Sequence, residues 1–135
     1  MADLSITAAN VKPGANAVID YGHLAGATIG QGVQVYLDPA TNKWKVADAN
    51  GSGTRQAQGT SLNAASDGQP LAVQTGGDLT IGAAIVAGTT YCLSATAGDI
   101  CPQADVASGS DVVFVGYARS ATVLALRYAA PGVTL

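Results

Sequence analysis

The feature that most constrains this chain is a pattern written twice. Ala27, Ile29, Gly32 and Leu37 recur 56 positions later as Ala83, Ile85, Gly88 and Leu93. With one residue inserted in a turn, Ala47 and Asp48 fall on Ala104 and Asp105, Gly59 on Gly116 and Ala64 on Ala121. A further deletion sets Leu71, Ala72 and Val73 on Leu124, Ala125 and Leu126. The units span residues 27–73 and 83–126. Two copies are too few for a solenoid, which needs about three or more repeats to bury a continuous core, so the pattern predicts a duplicated supersecondary unit closing on its partner.

Helices are disfavoured by what the charges are. All nine acidic residues are Asp, none is Glu, and Lys and Arg total six, so the charged residues that favour helices are scarce and the one that favours turns is not. Seventeen Gly and five Pro act the same way, and the many Ala fall in Gly-, Thr- and Val-rich surroundings without an i, i+3, i+4 stripe. At 135 residues the expectation is one all-β domain. Hydrophobic residues make up 48% but aromatics only 5%, which gives a thin core that gains from docking on another surface. A net charge of −3 without a Lys/Arg cluster argues against nucleic acid. No run approaches the roughly 18 apolar residues of a membrane span, and no signal-like start is seen, so the expected place of synthesis is a cytosol.

Turn chemistry divides the chain into about ten short strands, the spacing of a barrel or sandwich. Strands over 33–37 and 43–46 form a hairpin across Asp38, Pro39, Ala40, Thr41 and Asn42, where Pro39 presets φ and Asn42 tolerates the left-handed region. Alternation puts Val33, Val35 and Leu37 on one face and Gln34 with Tyr36 on the other. Further strands are expected at 17–21, 56–65, 70–75, 78–81, 90–94, 99–101, 112–118 and 122–128, with Gly76-Gly77 as a tight hairpin between those at 70–75 and 78–81. Trp44, Leu37, Leu93, Val113 and Leu124 are the expected core anchors. Residues 1–15 read as an extended N-terminal arm ahead of one barrel-like domain, 16–135. Leu4, Ile6 and Val11 are its candidate contacts with another subunit or a larger partner, although the arm fits its own sheet as well.

Chemistry-bearing residues are few. His23 is the sole histidine and lies in a Gly-rich loop, so it reads as a loop residue rather than a metal ligand or general base. Cys92 and Cys101 face each other if the second hairpin turns near Thr96 and Ala97. A disulfide is then geometrically open, and a reducing cytosol favours two buried thiols. Gly30-Gln31-Gly32 has no third Gly in register and no following helix, and Gly51-Ser52-Gly53 lacks a following Lys, so neither is a phosphate cradle. No cofactor, metal or enzymatic activity is expected.

The runs 71–82, 87–94 and 97–102, with Gly32-Val33-Gln34-Val35-Tyr36-Leu37-Asp38 and Gly59-Thr60-Ser61-Leu62-Asn63, resemble the small capsid decoration (cement) proteins of tailed bacteriophages. The resemblance covers the chain from about Ala17 onward and rests on glycine and strand patterns. Cys92 and Cys101 stand outside it. It implies a β-barrel or β-tulip-like subunit, usually a trimer, on the outer surface of the virion capsid, binding the major capsid protein and stabilising its contacts. It implies no catalytic residues. The competing expectation is a fibre, baseplate or adhesin-type module that recognises a host glycan or protein; a hydrolase ranks last for want of a second histidine.

Overall fold

Apolar and polar residues alternating between turn formers give strands, and the computed structural model, which describes residues 3–51 and 53–135, contains ten. They are β1 (Lys12–Pro13), β2 (Val18–Asp20), β3 (Gln34–Asp38), β4 (Lys43–Val46), β5 (Gly59–Ser61), β6 (Val73–Thr80), β7 (Thr90–Leu93), β8 (Ile100–Pro102), β9 (Phe114–Ala118) and β10 (Val123–Ala129). Helical structure among the described residues is limited to two short 3-10 turns, Ala8–Asn10 and Gln103–Asp105. The strands join antiparallel in the order β4-β3-β5-β6-β10-β9-β7-β8, with β1 and β2 on the other side of β6. The sheet curls into a half-barrel.

The two halves carry the same hydrogen bonds. Ile29 donates to Ala65 O at 2.8 Å, and Ile85 to Ala121 O at 3.0 Å; Gly32 donates to Ser61 O at 2.9 Å, and Gly88 to Ala118 O at 2.8 Å. Gly32 and Gly88 have φ of 83° and 85°, a region where a side chain is disfavoured, which is why glycine stands at both places. The turns correspond too. Asp38 Oδ1 accepts from the Ala40 N–H at 3.0 Å and Ser94 Oγ from the Thr96 N–H at 3.0 Å, and Asn42 and Gly98, 56 apart, are both left-handed. Ser61 pairs with Val73 and Ala118 with Leu124, so Val73 answers Leu124. The sequence pattern puts Val73 on Leu126, two residues away.

The expected hairpin at Gly76-Gly77 is not formed. β6 runs straight through both glycines as the longest strand, because Gly77, at φ 80°, lies against the neighbouring segment: a Cβ there would collide with the Asn16 carbonyl. β6 therefore serves both repeats. Its first half pairs with β5 and ends the first; its second half pairs with β10 and begins the second. The expected strand at 56–65 shrinks to β5, beyond whose ends single bonds continue to the same neighbours: Gln58 donates to Val35 O and Leu62 to Ala72 O.

Two apolar clusters form. Ile29, Val35, Trp44, Leu71 and Val73 fill the first repeat, and Tyr91, Leu93, Ile100, Val113, Leu124 and Leu126 lead a larger one that also takes in Tyr36, Leu79 and Ile81. Trp44, Leu93, Val113 and Leu124 are buried. Leu37 is only partly buried, because it sits at the mouth of the β3–β4 hairpin beside the exposed turn. The curl closes where the tip of the β7–β8 hairpin meets the end of β3–β4. There Gln34 donates to Gly98 O at 2.9 Å and Gly98 donates to Ala47 O at 2.7 Å.

The N-terminal segment is not an arm reaching away from the domain. Leu4 donates to Ile100 O at 2.9 Å and Thr7 to Gly82 O at 2.8 Å. Leu4 and Ile6 pack on the larger cluster, and Val11 belongs to it at 3% exposure. The physical reason is that the edge of β8 and the left-handed Gly82 offer this segment backbone partners and apolar cover within its own chain. Met1 and Ala2 lie outside the described residues.

Candidate functional site

Each polar cluster is built mainly for internal use. Asp20 follows β2 into the loop at Gly22, where its Oδ1 accepts the Gly22 N–H at 2.7 Å and its Oδ2 lies 2.7 Å from His23 Nδ1. Burial pushes the Asp20 carboxyl up, but these two donors outweigh it and hold the group below its ordinary value. The His23 ring stands edge-on to Trp44 at 6.1 Å. A carboxylate–imidazole pair of this kind could orient a base, yet no hydroxyl or thiol is hydrogen-bonded to the ring among the described residues.

At the far end of the second repeat, Asp111 accepts from Arg55 Nη1 at 3.0 Å and from Thr134 Oγ1 at 2.6 Å. Thr134 first, then Arg55, lowers the Asp111 carboxyl. Arg55 and Asp111 line a cavity of about 360 Å³. Arg55 also donates through Nε to Gly51 O at 3.0 Å and through Nη2 to Asn50 O at 3.4 Å, so its fork is already engaged.

A third polar cluster ties the halves together. Gln34 Nε2 donates to Thr60 Oγ1 at 2.9 Å, Tyr128 OH donates to Gln34 Oε1 at 2.7 Å, and the Thr60 and Tyr128 hydroxyls lie 2.7 Å apart. Burial raises the Tyr128 phenol against the opposing Thr60 bond. Gln34, on the face of β3 opposite Val35, is fully buried, because that face too is covered, by Tyr128 and the tip at Gly98.

Cys92 and Cys101 are directly opposed in the β7–β8 ladder, both fully buried and both free thiols. Burial pushes Cys92 up to about 11, and burial with the neighbouring thiol and Asp3 pushes Cys101 up to about 12. Neither is a poised nucleophile. Among the described residues, no group of three or more His, Cys, Asp and Glu could hold a metal ion.

What remains for another molecule is apolar surface and backbone. Two shallow grooves overlap in part when one repeat is set on the other. One, of about 260 Å³, is lined by Thr28, Ala65 and Ser66 together with Ile29, Gly30, Ala64 and Gln69; the other, of about 410 Å³, shares the three positions 56 residues on, Ala84, Ala121 and Thr122, and is completed by Asn10, Thr80, Gly82 and Ala83. Val18, Tyr21, Leu24, Val86 and Tyr117 are exposed. Tyr21 follows the end of β2 and stands 75% exposed. Leu4, Ile6 and Val11 are at neither groove's mouth and are committed to the chain's own core. No family model matches the chain, and neither does any curated protein or solved structure.

Proposed function

We propose that the protein is a structural, non-enzymatic module of a tailed-phage virion that attaches to the outside of the icosahedral head and bridges neighbouring copies of the major capsid protein. The observation that carries this reading is the pair of grooves that share three repeat-related lining positions. A surface that repeats within one chain is suited to a partner that repeats, and two weak contacts made together hold far better than one. The resemblance of the glycine and strand pattern to capsid decoration proteins supplies the partner. Purified protein incubated with expanded heads lacking outer proteins, then sedimented, is expected to travel with the shells and to saturate. Protein left wholly in the supernatant refutes the reading.

The exposure of Tyr21 favours one alternative, a fibre or adhesin-type module that stacks an aromatic ring on a host glycan. Saturable signal on a glycan array, lost in Tyr21→Ala, would establish it instead.

A further inference from the structure

Each repeat opens with a strand that pairs on one side with the strand closing that repeat: β2 with the first half of β6, and the second half of β6 with β10. In the second repeat the opposite side of the opening strand is filled. Lys12 and Pro13 pair with Thr80 and Leu79, and Gly14 donates to Asp78 O at 2.8 Å. In the first repeat the equivalent side is the outer edge of β2, and among the described residues no strand pairs with it. The chain covers its two end strands itself: Leu24 O accepts from the Trp44 N–H at 2.9 Å along β4, and Ile100 O on β8 accepts from Leu4. The duplication thus shows what a filled slot looks like and leaves one copy of it open.

We propose that the outer edge of β2 docks the same edge of a second copy of this chain, the two β2 strands pairing antiparallel about a two-fold axis so that one sheet runs through both half-barrels. A strand edge paired antiparallel with itself is self-complementary and closes at two copies. Features that deter edge pairing lie on the preceding stretch: Lys12, Pro13 and the left-handed Asn16, φ 57°. The run Ala17-Val18-Ile19-Asp20-Tyr21 carries no Lys or Pro. The irregularity in the β2–β6 pairing belongs to β6, where the two-residue step from Gly76 to Gln74 spans the single step from Val18 to Ile19, so β2 is unbroken. Centred on Val18, the pairing sets Val18 against its own copy and Ile19 against Ala17, and it places each Asp20 opposite Asn16 rather than opposite the other carboxylate. Val18, 58% exposed, and Tyr21 would be covered.

The test is sedimentation equilibrium of the full chain over a range of concentrations, beside Val18→Lys and Val18→Cys. Wild type is expected as a monomer–dimer equilibrium. Val18→Lys puts two like charges at the axis and is expected to raise the dissociation constant roughly tenfold or more. Val18→Cys, oxidised with copper-phenanthroline, is expected to give a covalent dimer, because the native thiols are buried. Thermal melts matching wild type keep both variants interpretable, since the side chain points largely to solvent. A wild-type monomer at every concentration overturns the proposal, as does a trimer or a dimer indifferent to Val18→Lys. A chain that is monomeric alone yet binds heads overturns it while leaving the decoration reading intact; a dimer that ignores heads does the reverse.

Discussion

Replacing Leu4, Ile6 and Val11 together by Ala should cost much of the protein's stability if the N-terminal segment is part of the core. Val11 is 3% exposed and loses two buried carbons; Leu4 and Ile6, partly buried against the same cluster, lose three each. At about 0.8 kcal/mol per buried methylene, discounted by half for the two partly buried side chains, the loss comes to about 4 kcal/mol. That is a large share of the roughly 5–15 kcal/mol that holds an ordinary domain together. Urea unfolding followed by Trp44 fluorescence is the assay, because Trp44 lies in the other apolar cluster and reports cooperative loss of the whole fold. With an m-value of about 2 kcal/mol/M, the midpoint should fall by about 2 M. A midpoint unchanged within experimental scatter would mean that the segment is a free arm after all.

Tyr128→Phe leaves Gln34 Oε1 without its phenol donor in a buried site and should cost about 1–3 kcal/mol, measured the same way. Gly116→Ala drives a Cβ into the Ala125 carbonyl across the β9–β10 ladder and should destabilise by more than about 2 kcal/mol, whereas Gly109→Ala, which meets open space and only the strain of its left-handed φ of 86°, should cost less. Asp111 sits below its ordinary value of 3.8 in the folded state, so its contribution is present above that pH and is lost as pH falls through the lowered value; Asp111→Asn should flatten the acid end of the stability–pH curve. Iodoacetamide at pH 8 should leave Cys92 and Cys101 unmodified in the folded protein and alkylate both in urea, as mass spectrometry would record.

How far the sequence could be read depended on whether local chemistry decided the outcome. The turn at Asp38 to Asn42 follows from φ preferences within a few residues, and the structure uses it as the pattern implies; the repeat of glycine at 32 and 88 was legible too, and the left-handed backbone at both gives its reason. Gly76-Gly77 carries an equally strong hairpin signal and fails, because the decision there belongs to the segment that runs along β6 and needs room at Gly77. Leu4 and Ile6 alternate just as a free strand would; only the unfilled edge of β8, far along the chain, makes their own domain the better partner. Gln34 shows the same limit, since nothing near it in sequence announces that Thr60 and Tyr128 will supply its hydrogen bonds. The open edge at β2 was beyond reach for the same reason. Val18 and Ile19 were legible as a strand, but which side of it stays unpaired is set by β6 and by the chain's return along it.

A clamp on a pressurised shell must change how the shell fails, and that is the most direct measurement. DNA-filled heads lacking outer proteins, heated with and without saturating amounts of this protein, should release their DNA at a higher temperature when it is bound, with the gain levelling off once binding saturates. Release at the same temperature, with the protein demonstrably attached, would contradict the stabilising role.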